Sequence, residues 1–198
     1  MRIITGMTAI MASLSLAACD QPPADTTVDG RADESPVPGE VAPPEPTVAS
    51  LSGQDFANTL AAGDAFEIAA SRLAVDRAPT PAVKAFAQKM IDAHTVSTDR
   101  LKKDGATLTP AIKPDPALSS EQQQKLDALK PLTGTAFELA YMTDQVAAHE
   151  AALGAVQAYA ASGSDPVLKR LAADAVRMVS EHLDEARRLA QPGTAATP

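Results

Sequence analysis

Pro81-Ala-Val-Lys-Ala-Phe86-Ala-Gln-Lys-Met90-Ile-Asp-Ala-His94 carries one of only three histidines in the chain and sets it on an apolar stripe. Val83, Ala87, Met90, His94, Ser97 and Leu101 recur at steps of 4, 3, 4, 3 and 4, the seam of a helix that packs along other helices. His94 therefore points inward. Thr80 as N-cap and Pro81 at the first helical position begin this helix. The pattern carries it to about Asp104, with Gly105 as a C-terminal stop.

The flanking sequence repeats the pattern. Upstream, a helix over Gln54 to Arg77 has the seam Phe56, Leu60, Gly63, Glu67, Ala70 and Ala74, so a carboxylate occupies a core position; Pro79 and Pro81 end it. Downstream, residues 105 to 134 contain Pro110, Pro114, Pro116 and Pro131. Ser119 and Gln122 have capping-box spacing and predict a short helix over Ser119 to Lys130. A third long helix opens with Thr135-Ala-Phe-Glu138, read as another capping box, and runs to Ser162 with the seam Leu139, Met142, Val146, His149, Leu153, Val156 and Ala160. Gly163 breaks it, and Ser164-Asp165-Pro166 starts a fourth, striped by Leu168, Leu171, Ala175, Met178, His182, Ala186 and Leu189. The expectation is an all-α antiparallel four-helix bundle with a long connection, containing a short helix, between its second and third long helices.

The second and fourth long helices open alike, Pro81-Ala-Val-Lys-Ala-Phe-Ala and Pro166-Val-Leu-Lys-Arg-Leu-Ala, as if one helical hairpin had been duplicated. Glu67 and His94 lie 14 residues before and 13 after the first proline, and His149 and His182 lie 17 before and 16 after the second. Within each hairpin the two polar residues are level. The three-residue offset between hairpins amounts to roughly 4.5 Å along the axis.

An apolar fraction of 45% without tryptophan suits one alanine-rich helical domain, expected over residues 51–191, and argues against a β sandwich. Arg2 precedes an apolar run from Ile3 to Leu16, followed by Leu16-Ala-Ala-Cys19. This resembles a bacterial lipoprotein signal peptide over residues 1–18, with Cys19 lipidated at the start of the mature chain. That implies attachment to a membrane of the bacterial envelope, facing the periplasm. Cys19 is the only cysteine, so no intramolecular disulfide forms. Asp20 to Ser50 hold seven prolines, seven acids and one arginine without apolar periodicity, the composition of a disordered tether. Residues 192–198 read as a disordered tail. Without residues 1–18 the chain has 16 Lys plus Arg against 25 Asp plus Glu, a net of −9, which makes nucleic acid an unsuitable partner.

The stretches Ala62-Gly-Asp-Ala-Phe-Glu67-Ile, Val83 to Thr95, Gly134-Thr-Ala-Phe-Glu-Leu-Ala-Tyr141-Met, His149-Glu-Ala-Ala-Leu and His182-Leu-Asp-Glu-Ala together resemble the bacterial domain-of-unknown-function family 4142, envelope proteins assigned to the ferritin-like superfamily. The resemblance implies a ferritin-like bundle and no established activity. It also implies an acid just before the histidines of the second and third long helices, where this chain has Ala93 and Ala148.

Glu67, His94, His149 and His182 are buried polar residues, one per helix, and buried polar groups call for partners. Two readings stay open: a first shell for one Fe, Mn, Zn or Cu ion, or a structural network in which Glu67 pairs with one protonated imidazole. Ile91 and Val179 stand three residues before His94 and His182, so the Glu-x-x-His pairs of di-iron proteins are absent. Tyr141 and Tyr159 read as amphipathic packing with a wet hydroxyl. No catalytic residues are assigned, since a Gly-rich phosphate loop, a nucleophile-elbow serine and a cysteine zinc pattern are all missing. The functional expectation is a non-enzymatic binding or stress-protection module. A metalloenzyme acting on reactive oxygen is the alternative, because three histidines with a carboxylate resemble the ligand set of iron and manganese superoxide dismutases; a purely structural envelope protein is the third.

Overall fold

A computed structural model describes residues 51–191; the expected signal peptide, Cys19, the tether and the tail lie outside the described residues. Five helices follow in order: α1 (Gly53–Arg77), α2 (Pro81–Ala106), α3 (Ser120–Leu129), α4 (Gly134–Ser162) and α5 (Pro166–Leu189). Their starts are written locally. Ser52 accepts the Asp55 amide, Thr80 accepts the Val83 amide, and Asp165 accepts the amides of Val167 and Leu168. Ser119 and Gln122 form the reciprocal capping box expected of them.

α1 packs mainly on α2, and α4 mainly on α5. Only residues 78–80 and 163–165 join the partners, which forces each pair into an antiparallel hairpin. The hairpins meet through α1 against α4 and α2 against α5, and α3 rests on α1 and α4. The fold is thus the all-α four-helix bundle expected, with the short helix inside the long connection.

Three local expectations fail for physical reasons. Gly105 does not stop α2; it lies buried inside it, and its lack of a side chain admits the loop, since a Cβ there would fall 2.7 Å from the Ile112 carbonyl oxygen. The Thr135–Glu138 capping box does not form. α4 begins at Gly134 (φ +57°) without a side-chain cap, and Glu138 instead accepts from the Thr80 amide and hydroxyl at 3.1 and 2.9 Å, steadying the start of α2 in the other hairpin. Leu139, expected in the seam of α4, is 52% exposed. Alanines surround α4 on every side, so its apolar pattern marks no single face, and the buried stripe runs through Phe137, Tyr141, Gln145, His149 and Val156.

The core is divided along the bundle. At one end Phe66, Val83, Phe86, Met90, Leu129, Phe137 and Met142 form one apolar cluster. At the other Phe56, Leu101, Val156, Tyr159, Leu168 and Leu171 form a second, with Phe56 and Tyr159 stacked at 3.9 Å between ring centres. Between these sets, on every long helix, lie the buried polar residues Asp64, Glu67, His94, Gln145, His149 and His182. Six buried polar side chains in one layer are costly unless something binds or bonds them.

Candidate metal centre

The three histidines converge. Ring centres are 5.7 Å apart for His94 and His149, 5.9 Å for His94 and His182, and 5.5 Å for His149 and His182. One ring nitrogen from each lies within 4.8 Å of the other two. All three residues are buried, from 1% to 6% exposed. The hairpin offset read from the sequence is thus absorbed without separating them.

Protein contacts fix which nitrogens are left as electron-pair donors. His149 Nδ1 donates to the Gln145 carbonyl oxygen at 2.9 Å, and because a carbonyl can only accept, the proton of neutral His149 sits there. His94 Nδ1 donates to Asp64 Oδ1 at 2.7 Å, while Asp64 Oδ2 accepts the Thr98 hydroxyl at 3.0 Å. His94 Nε2, His149 Nε2 and His182 Nδ1 are buried with no hydrogen-bond partner among the described residues. An imidazole with one nitrogen anchored to a carboxylate or carbonyl and the other bare is the arrangement by which proteins hold metal-ligating histidines.

The electrostatics agree with that arrangement for two of the rings. Burial and the charge of His94 hold His149 down at about 4, and burial with the neighbouring imidazoles holds His182 at about 3. Both are neutral near pH 7, with lone pairs available. Burial also works against charge on His94, but the Asp64 hydrogen bond and the negative charges of Glu67 and Asp64 outweigh it and raise its pKa. Burial pushes Glu67 up to about 7, the charge of His94 opposing it.

Glu67 sits beside the imidazoles rather than among them. Its Oε1 is 3.8 Å from His149 Nδ1, outside hydrogen-bond range, and neither carboxylate oxygen makes a close hydrogen bond among the described residues. The Gln145 side chain lies beside it, near enough to oppose the rise in its pKa, though neither makes a close hydrogen bond among the described residues. Of the four residues expected at a metal, the fold therefore gathers three nitrogens tightly and leaves the carboxylate at their side. Two residues of the layer escaped the sequence reading. Asp64 precedes Glu67 by three residues, and Gln145 precedes His149 by four, so each lies on the same helical face as a residue that was singled out. The tyrosine hydroxyls are not wet: that of Tyr141 is buried against Ser71 at 2.8 Å, and that of Tyr159 is buried without a partner.

A metal ion fits this donor set. An ion equidistant from three nitrogens at most 4.8 Å apart would stand no more than about 2.8 Å from each, so inward movement of up to roughly 0.7 Å per ring gives the usual bonds of about 2.0 to 2.1 Å. A four-helix bundle with three histidines gathered in its core defines the class. The chain belongs to the DUF4142 family, described as a domain of unknown function, whose model matches residues 39–189. No curated protein matches it. Among solved structures it is similar in fold to CopM in the Cu(II)-bound form, at a TM-score of 0.62 and 16% identity over 72% of this chain and 97% of that one.

Proposed function

We propose that this protein is a binding module of the bacterial cell envelope that holds one transition-metal ion on His94, His149 and His182. The observation that carries the proposal is the set of bare, buried nitrogens on three converging imidazoles, two of them oriented by Asp64 and by the Gln145 carbonyl. A self-contained polar network would spend those nitrogens on one another, and among the described residues they make no hydrogen bond to one another. Imidazole donors favour copper or zinc over manganese or magnesium, which prefer oxygen. The shared fold of CopM, solved with Cu(II), is consistent with copper. The envelope part of the proposal rests on Leu16-Ala-Ala-Cys19, whose resemblance to a lipoprotein processing site would give the chain a lipid anchor at Cys19.

The test is the metal content and melting temperature of protein purified without chelator or nickel resin. Roughly one equivalent of copper or zinc, with a rise in melting temperature of the metal-free protein on adding either ion, is expected. Both effects are expected to vanish in His149→Leu. No bound metal and no thermal shift with either ion would contradict the proposal. Superoxide or peroxide turnover that requires metal and is lost in His149→Leu would replace the binding reading with the metalloenzyme one.

A further inference from the structure

Beside the histidines, a cavity of about 610 Å³ opens between α1, α4 and the segment carrying α3. That volume lies within the usual range of about 300 to 1,000 Å³ for small-molecule sites and exceeds the needs of a lone ion or water. We propose that it binds a small organic cation, an ammonium head on an apolar body, with Glu67 as the counter-ion.

The shape comes from sequence. Ala147, Ala148, Ala151, Ala152 and Ala155 present only methyl groups from α4, and Gly63 presents nothing from α1. Larger residues on α4 would fill the space. The α4 wall is thus apolar, Asn58, Thr59, Ser119 and Gln122 line the cavity from α1 and the α3 segment, and Glu67, His94 and His149 bring the buried polar layer to it.

Charge selects the head group. Three acids line the cavity, Asp64, Glu67 and Glu121. Asp64 is occupied by His94 and Thr98, and Glu121 is bridged at 2.8 Å to Lys125, the one Lys or Arg among the lining residues. Glu67 remains, 3% exposed, with neither oxygen in a close hydrogen bond among the described residues and only the Gln145 amide and the imidazoles beside it. A buried carboxylate left in that state attracts a donor, most strongly a charged one. An anion would be repelled, and an alcohol would offer one neutral hydrogen bond. The inference goes beyond the metal reading and uses a residue outside the three-nitrogen set. Because an ion on the imidazoles would also compensate Glu67, amine and metal are expected to weaken each other's binding by the same factor.

The test is calorimetric titration of the chelator-treated full chain with hexylammonium, hexanol and hexanoate. Hexylammonium is expected to bind at least about tenfold more tightly than hexanol, with hexanoate silent. Glu67→Gln keeps the shape and removes the charge, so it is expected to weaken hexylammonium by at least about tenfold. Ala155→Leu, on the wall and six residues along α4 from His149, is expected to weaken it too, with circular dichroism confirming the fold and a copper titration confirming the histidines. Failure of hexylammonium to bind, equal binding of hexanol, or binding unchanged in Glu67→Gln would overturn the proposal. A parent chain that binds hexylammonium as expected but no copper would overturn the metal reading instead.

Discussion

His94 is the residue whose surroundings decide what the polar layer can do. Its Nδ1 is held at 2.7 Å by Asp64 on the neighbouring helix, so the ring cannot rotate without breaking a buried charge-assisted contact. Asp64→Ala is therefore expected to leave the fold intact and lower metal affinity by about 10- to 100-fold, measured by competition with a chromogenic chelator; unchanged affinity would mean that Asp64 does not orient His94. Glu67 makes a different statement, about the metal-free protein. Its ordinary value of 4.5 rises to about 7 in the fold, so the folded chain holds a proton there that the unfolded chain releases. The associated stability is complete below pH 4.5 and is lost as pH rises through about 7, by up to roughly 3 kcal/mol. Glu67→Gln is expected to remove that decline, seen as urea midpoints of the parent protein that fall relative to those of the variant between about pH 5 and pH 8. His149 and His182 act in the opposite sense: their depressed values of about 4 and about 3 cost stability as pH drops below 6.5, with or without the Glu67 substitution.

At the scale of the helices, what was legible in the sequence followed the local chemistry. Ser52, Thr80, Ser119 and Asp165 cap the helices they precede because an N-cap bond spans only two or three residues. The inward direction of all three histidines was legible for a similar reason, since each sits on a stripe with helical periodicity. Long-range contacts were not. Nothing near Glu138 announces that it will reach Thr80, 58 residues earlier, and nothing near Gly105 announces that the Ile112 carbonyl will rest against it. Asp64 was hidden differently, since an acid on a helix is usually solvated and only the approach of α2 turns it into a buried partner of His94. Gly105→Ala tests one such contact. With the new Cβ 2.7 Å from a carbonyl oxygen, the loop must move, and a loss of about 1 to 3 kcal/mol in denaturant unfolding is expected. A gain in stability, as at an ordinary helical glycine, would show that the approach is not required.

Over the whole molecule, two apolar clusters carry the stability and a polar layer between them carries the function proposed here. The division explains how the bundle can hold several unsatisfied polar atoms, because Phe56, Phe66, Phe86, Phe137 and Tyr159 are each at most 2% exposed on either side of them. It also separates this site from the carboxylate-rich pattern of di-iron bundles: one carboxylate orients a histidine, another faces a cavity, and imidazole nitrogens make the centre. The central claim is that these three imidazoles together hold one ion. X-ray absorption of protein loaded with one equivalent of Cu(II) or Zn(II) tests it most directly. Three imidazole nitrogens at about 2.0 Å are expected in the parent chain, with that signal lost in His149→Leu; coordination dominated by oxygen, or a spectrum unchanged by the substitution, would contradict it.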